Sequence, residues 1–198
     1  MMLHHRPPTL RSVAKGFTLV ELLIVVTLVG FLIALGAPRL TRFLLARSVA
    51  ATTDTFATDL RYARSEALKR GQTVSLCVAS NPDSDLRTCA NAAGTAGYAA
   101  GWLVFVDLDG DGTLDGTDTI LRVQQALTER VNGASSNTTA TAKSFTFLNN
   151  GLSTAAQSGV TFTPHTSDTA ESSAMQRMVC VARTGRARIT SAGASSCS

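Results

Sequence analysis

The sequence predicts an α+β fold in which one long N-terminal helix, membrane-spanning in its first half, packs on an antiparallel β-sheet domain. Three observations support this prediction. Residues 17–37 carry one charge, residues 38–71 continue with apolar positions at helical spacing, and residues 72–198 hold short β-prone segments between polar connectors. The length of 198 residues suits one such domain with an appended segment.

The composition argues against a broadly disordered chain and against a general electrostatic partner. Hydrophobic residues make up 44% and charged residues 16% of the chain. The net charge is +4, but three cations, Arg6, Arg11 and Lys15, precede Phe17. Without them, 15 of the 18 basic residues face 14 acidic ones. A charged partner would therefore have to bind a local cluster of charged residues, because the net charge of the chain is close to zero without the first sixteen residues.

Residues 17–37 have the length of a membrane-spanning helix. At about 1.5 Å per residue the segment spans about 31 Å, which matches the hydrocarbon core of a bilayer. The basic residues before it predict a cytoplasmic location for that end. Because no small-residue cleavage site follows the apolar run, it differs from an ordinary secretory signal.

Glu21 is the single charge in that segment. A carboxylate in a bilayer costs about 2.5–3.5 kcal/mol on insertion scales and therefore usually has a partner. One candidate is the α-amino group that cleavage after Gly16 would create at Phe17, in the same chain or in a neighbouring subunit. The alternative is a helix-start carboxylate at the membrane surface.

The stretch GFTLVEL, residues 16–22, resembles the class III leader motif of type IV pilins and type II secretion pseudopilins. The resemblance implies a type IV pilin-like fold, with a leader at residues 1–16 that a prepilin peptidase removes after Gly16. It further implies methylation of Phe17 and a Glu21 that registers subunits in a filament. The protein would cross the inner membrane once, N-terminus cytoplasmic, and place its domain in the periplasm and later in a pilus fibre.

Residues 72–198 are predicted to form one antiparallel sheet against the helix. The candidate strands are 73–79, 101–106, 119–127, 144–148, 160–162, 177–183 and 186–190. Residues 132–141 are predicted to be a connector loop. The helix positions predicted to face the sheet are Leu45, Val49, Phe56, Leu60, Ala63 and Ala67.

The four cysteines are predicted to form disulfides, because the leader implies export into an oxidising compartment. Three connectivities are possible. The pairing Cys77–Cys89 with Cys180–Cys197 is favoured because each bond closes a local loop. A metal site is the alternative, but the sequence has no CxxC, and His165 is the only histidine after the leader.

The acidic segment 107–118 partly matches a calcium-loop template. Asp fills the last template position where a bidentate Glu is usual, and predicted strands flank the segment. The alternative is a hairpin turn. Residues 101–127 also resemble the strand–acidic turn–strand segment of the GspH/FimT subfamily of minor pilins and pseudopilins, and the resemblance implies that the loop is structural. The template carboxylates are Asp107, Asp109, Asp111, Asp115 and Asp118, with Gly112 at the sixth position.

Residues 172–198 contain four arginines and no acidic residue. Thr184-Gly185 is predicted as a two-residue hairpin loop, which places Arg183 opposite Arg186. Strand alternation puts Arg188 on the face of Arg186, about 6.6 Å further along. Like charges paired across strands are destabilising, so an external anion such as the DNA backbone is indicated. The alternative is a cationic edge that prevents aggregation.

Gly185-Arg186-Ala187-Arg188 resembles the GRxR motif of FimT-type minor pilins, which bind DNA during natural transformation. The resemblance implies that Arg186 and Arg188 contact DNA without sequence readout. Arg183 and Arg177 join them on charge and predicted face.

The sequence therefore predicts a minor pilin of the GspH/FimT type that binds extracellular DNA and supports its uptake. Its expected partners are DNA, other pilins, the prepilin peptidase and the inner membrane. A type II secretion pseudopilin, a structural pilus-priming subunit and a calcium-dependent module are the alternatives. Because His165 lies in a Ser/Thr-rich loop and the carboxylates cluster in one turn, neither an enzyme nor a cofactor is expected.

Overall fold

A computed structural model describes residues 16–90, 96–127, 129, 131–135, 144–154, 158–190, 193 and 197. The first fifteen residues of the predicted leader lie outside the described residues, as does the second part of the predicted 132–141 connector. The chain separates into two compact units, Met1–Thr41 and Arg42–Ser198.

The helix α1 runs over Leu19–Arg70, which confirms the predicted single helix of about fifty residues. Its first turn is capped by Thr18, whose hydroxyl accepts a hydrogen bond from the Glu21 N–H at 3.2 Å. Its last turn ends at Gly71, which has a φ of 66° and donates its N–H to Ala67 O at 3.0 Å. A left-handed glycine in this position terminates a helix.

Within the Met1–Thr41 unit, α1 is apolar all round. The large apolar side chains between residues 17 and 35 are 47–81% exposed. This part of the helix is long and apolar enough, with a mean hydropathy of 2.7, to cross a membrane by length and composition. Such a surface is suited to lipid or to other apolar helices rather than to water.

Beside the second half of α1, the described residues of the Arg42–Ser198 unit form nine strands, a 3-10 helix (Tyr98–Ala100) and a second α-helix. These elements are β1 (Val74–Ser80), β2 (Thr88–Cys89), β3 (Trp102–Val106), β4 (Thr119–Gln124), β5 (Val131–Ser135), β6 (Ser144–Phe147), β7 (Ser158–Pro164), α2 (Thr169–Met175), β8 (Arg177–Val181) and β9 (Ala187–Ile189).

The strands form two antiparallel sheets, where the sequence predicts one. In the first sheet β1 pairs with β3 along one edge and with β2 and β6 along the other, and β4 extends the sheet from β3. The second sheet has the order β5-β7-β8-β9. Buried residues of both sheets pack against the buried side of α1 in one core cluster.

The prediction of a connector at residues 132–141 is wrong at its start. All five residues of β5 pair with β7, so the segment 131–135 belongs to the second sheet. Sheet hydrogen bonding uses backbone groups, which allows a strand with few β-prone side chains to form beside a strong neighbour.

Helix α2 lies in a Ser/Thr-rich stretch for which the sequence predicts no element. The side chain of Asp168 caps it by accepting hydrogen bonds from the N–H groups of Ala170 and Glu171, at 2.9 and 3.1 Å. Glu171 also forms an ion pair with Arg42 of α1. An Asp followed three residues later by Glu is a helix-start pattern that indicates this helix.

The core of the Arg42–Ser198 unit lies between the second half of α1 and both sheets. The predicted stripe is confirmed, since five of its six positions are fully buried and Leu45 is half-buried. The fully buried positions are Val49, Phe56, Leu60, Ala63 and Ala67.

Phe56 lies at the centre of an aromatic cluster in this core. Its ring contacts those of Tyr98, Trp102, Phe145 and Phe162, with centroid distances of 5.0, 5.1, 5.9 and 5.4 Å, and all four pairs are edge-on. Edge-on rings add stabilisation beyond the apolar area that they bury. The cluster therefore joins α1 to both sheets.

A polar contact also fastens α1 to the first sheet. Asp59, only 2% exposed, accepts a hydrogen bond from Trp102 Nε1 at 2.8 Å and forms an ion pair with Arg122 of β4. The Arg122 guanidinium lies 4.3 Å from the centroid of the Tyr62 ring. Both oxygens of a buried carboxylate are thus satisfied.

Candidate nucleic-acid interface

Strands β8 and β9 form the predicted hairpin, but the predicted register is wrong. Ala182, not Arg183, lies opposite Arg186, because the Ala182 N–H donates to Arg186 O at 3.0 Å. The Gly185 N–H donates to Ala182 O at 2.8 Å, and Gly185 has a φ of 74°. The loop is therefore three residues long, 183–185, a type in which the last residue is left-handed and favours glycine.

The motif arginines lie on the exposed side of β9. Arg186 and Arg188 are exposed while Ala187 between them is buried, which is the predicted alternation. Arg188 donates from Nη2 to Cys197 O at 3.1 Å, so it lies beside the C-terminal tail. The disulfide of Cys197 with Cys180 holds the tail at that position.

The other two predicted arginines are placed differently. Arg183 is exposed in the loop, and its carbonyl accepts the N–H of Ser153 at 3.0 Å. Arg177 begins β8 on the side of Val179, opposite to the side that carries Arg188. Arg188 is paired with Cys180, which lies three residues after Arg177 in β8. Residues an odd number apart in one strand point to opposite faces, so the prediction that Arg177 shares the face of the motif is wrong.

The hairpin loop is seated directly on α1. Arg64 of α1 donates from Nε to Gly151 O at 3.0 Å. A Cβ at Gly185 would lie 2.1 Å from that same oxygen and 2.9 Å from Arg64 Nε. The glycine of the motif is thus required both for its backbone conformation and for this close approach.

We expect Gly185→Ala to lower the free energy of unfolding by about 2 kcal/mol or more, because left-handed strain and a backbone clash add together. The matched control is Gly110→Ala, since Gly110 has a similar φ of 78° and no atom of the described residues lies within 4 Å of where an added Cβ would be. That variant should lose only about 1 kcal/mol. Denaturant unfolding followed by Trp102 fluorescence measures both. Equal losses would contradict the packing argument.

An open cleft of about 390 Å³ lies between α1 and the hairpin loop. Arg186 lines it from the hairpin, and Arg61, Arg64 and Ser65 line it from α1. The two helix arginines are not among the site residues predicted from the sequence. The available signal was two arginines three residues apart, with no acidic residue three or four positions from either.

Both favoured disulfides are present in the structure. Cys77 of β1 bonds Cys89 of β2, and Cys180 of β8 bonds Cys197 of the tail. The first bond joins two adjacent strands of one sheet, and the second ties the tail to the sheet that carries the arginine hairpin.

The first half of the acidic loop folds around Asp107. This buried carboxylate accepts hydrogen bonds from Ser75 Oγ at 2.6 Å and from the N–H groups of Gly110 and Gly112 at 2.7 and 2.9 Å. Burial raises the pKa of Asp107 above its usual range. The three donors show that its main structural role is to close the turn.

Only part of the calcium template comes together. Carboxylate oxygens of Asp107, Asp109 and Asp111 lie within 4.8 Å of one another. Asp118 instead accepts the N–H groups of Leu108 and Asp115, at 3.0 and 3.1 Å. Two of the predicted ligands, Asp115 and Asp118, thus build a second turn, as in the hairpin-turn interpretation.

At the N-terminal end, Gly16 and Phe17 are exposed and precede α1, and Glu21 is exposed in its first turn. The leader residues before Gly16 lie outside the described residues. The hydrogen bond between Glu21 N–H and the Thr18 hydroxyl defines the helix start.

A long apolar N-terminal helix that continues into the core of an α+β domain defines the class of pilin-like subunits. The family model for the type II transport protein GspH matches residues 52–185, and the prokaryotic N-terminal methylation motif matches residues 11–37. The chain therefore belongs to the GspH family and is a type IV minor pilin or pseudopilin. The motif and the apolar helix fit anchoring in the inner membrane.

Solved structures of minor pilins and pseudopilins are similar. The type IV minor pilin FimU of Pseudomonas aeruginosa matches over 77% of this chain and 96% of its own, with 16% identity and a TM-score of 0.52. The minor pseudopilin EpsH of Vibrio cholerae matches over 74% and 99%, with 14% identity and a TM-score of 0.49. The FimU likeness shows a shared fold. No curated protein sequence matches the chain.

Proposed function

We propose that the protein is a FimT-type minor pilin that binds the backbone of extracellular DNA through its arginine hairpin and supports DNA uptake in natural transformation. The observation that carries this proposal is the pair Arg186 and Arg188, exposed on either side of buried Ala187. Two guanidinium groups on a fixed hairpin suit phosphate recognition, which is independent of sequence.

The proposed maturation begins with prepilin peptidase, which removes residues 1–16 and methylates Phe17. The match to the N-terminal methylation motif supports this step. The new N-terminus would then lie four residues before Glu21, which would register the subunit against other pilins in the filament. Before assembly the N-terminus is cytoplasmic and the domain periplasmic; after assembly the domain is part of a fibre at the cell surface. We propose no catalytic role.

The second candidate is a type II secretion pseudopilin of the H type, or a priming subunit that does not bind DNA. The description of the matched family as a type II transport protein favours it. In that role the subunit would contact partner pseudopilins, and its arginine hairpin would only protect a sheet edge.

The test is DNA binding by the full chain in non-ionic detergent, measured by gel shift and fluorescence anisotropy across a salt series. The wild type should bind duplexes of different sequence equally. Arg186→Gln/Arg188→Gln should weaken binding at least about tenfold at low salt and lower the salt slope by about two, one for each lost phosphate contact.

Lys69→Gln provides the control for the loss of an exposed cation outside the hairpin, and it removes one charge where the double variant removes two. It should retain wild-type affinity. Absence of DNA binding by the wild type at low salt would refute DNA capture and leave the secretion or priming role.

A further inference from the structure

We propose that the cleft between α1 and the hairpin loop is a phosphate subsite that binds one backbone phosphate of a DNA strand. This inference rests on the proposed function, because Arg186 belongs to both the motif and the cleft. It adds Arg61 and Arg64, so that the DNA footprint extends from the hairpin onto the pilin helix.

The helix keeps two neighbouring cations without a local counter-ion. Like charges three residues apart on a helix are destabilising. Within the described part of the chain, neither Arg61 nor Arg64 takes part in an ion pair. The residues three and four positions from them are Ala57, Thr58, Leu60, Ser65, Ala67 and Leu68, beside the two arginines themselves.

The buried carboxylates of this part of α1 have other partners. Glu66 accepts a hydrogen bond from Arg70 Nε at 2.6 Å, and that bond lowers the Glu66 pKa below its usual value. Asp59 pairs with Arg122. None of the described residues that line the cleft is acidic. The positive charge of the cleft is therefore available to an anion from outside the chain.

The cleft is also partly pre-organised. The bond from Arg64 Nε to Gly151 O uses one of five guanidinium N–H donors and fixes the group against the loop. The close approach of Gly185 to Arg64 leaves the loop little freedom to move away. A site that is ordered before binding loses less entropy when the ligand arrives.

A phosphate suits this lining better than a single carboxylate. Three arginines can offer forked donors from several directions, which a tetrahedral group with several oxygens accepts. The cleft also adjoins the motif, so one strand that contacts Arg186 passes its entrance. An acidic surface of a neighbouring pilin is the competing occupant.

Arg61→Gln is the test variant, because Arg61 is exposed, whereas Arg64 also holds the loop. The full chain in non-ionic detergent is titrated with a short fluorescein-labelled duplex across a salt series. Arg61→Gln should weaken binding about fivefold to tenfold at low salt and reduce the salt slope by about 0.9. Lys69→Gln, on the same helix and outside the cleft, should change affinity less than about twofold.

The outcomes separate the two proposals. Wild-type binding that is lost with Arg186→Gln/Arg188→Gln but is equal in Arg61→Gln and Lys69→Gln overturns the subsite and leaves the proposed function standing. No wild-type binding overturns both. Unchanged DNA affinity of Arg61→Gln together with weaker binding to a purified partner pilin would assign the cleft to an acidic protein surface instead. An unchanged denaturation midpoint excludes misfolding as the cause of any loss.

Discussion

Replacing Phe56 with alanine should lower the free energy of unfolding of the Arg42–Ser198 unit by about 3–5 kcal/mol. Phe56 is fully buried, and its ring contacts four other rings, of which Trp102, Phe145 and Phe162 come from the two sheets and Tyr98 from a short 3-10 helix. The substitution removes these contacts and leaves a cavity in the core cluster that α1 shares with both sheets. The protein has one tryptophan, Trp102, whose emission in a denaturant titration of the full chain reports this unfolding.

Phe43→Ala is the matched control on the same helix. Phe43 is 54% exposed and contacts the guanidinium of Arg47. Its removal should cost less than about 1 kcal/mol. A loss for Phe56→Ala no greater than that of Phe43→Ala would mean that the ring cluster does not hold the sheets together.

Asp59→Ala should destabilise the same unit by about 2–4 kcal/mol. The substitution leaves the buried Trp102 N–H without its acceptor and removes the counter-ion of Arg122. We place the loss below that of a fully buried pair because the Arg122 side chain is 44% exposed, and water can solvate its charge.

A double-mutant cycle with Arg122→Ala isolates the ion pair. The coupling free energy should be about 1–2 kcal/mol, with the remainder coming from the Trp102 hydrogen bond. Asp54→Ala, an exposed carboxylate on the same helix, should change stability by less than about 0.5 kcal/mol. An Asp59→Ala loss as small as that of Asp54→Ala would show that the desolvation free energy of the buried carboxylate cancels the stabilisation from its hydrogen bond and ion pair.

The helix was predictable because its signals are local. The apolar run at 17–37 and the stripe from Val49 to Ala67 depend only on residue type and spacing, and Gly71 marks the end. The cysteine pairing was accessible for the same reason, since each bond closes a short loop.

Strand β5 shows where local signals fail. Its sequence, Val-Asn-Gly-Ala-Ser, has the composition of a connector. The strand is stabilised by its pairing with β7 rather than by β-prone side chains. A Cβ at Gly133 would lie 2.8 Å from the Phe162 ring, so the glycine reflects packing against a residue distant in sequence. The division into two sheets is likewise a long-range property.

The candidate site also has features that local sequence signals predict and features that depend on tertiary contacts. The alternation of Arg186, Ala187 and Arg188 follows from strand geometry and was predicted. The register was not, because it depends on whether Gly185 ends a two-residue or a three-residue loop. Arg61 and Arg64 join the hairpin only through the tertiary seating of the loop on α1, which their positions in the sequence cannot reveal.

That seating also determines how the protein would carry mechanical load. If a pulled polymer is held at Arg186, tension enters the loop 183–185 and passes to the turn at Gly151 and to Arg64. From there it reaches α1, whose buried face is locked into the core. In the proposed role, a load at Arg186 would therefore reach α1 through the loop, in addition to the path to the C-terminal tail through the Arg188 contact with Cys197.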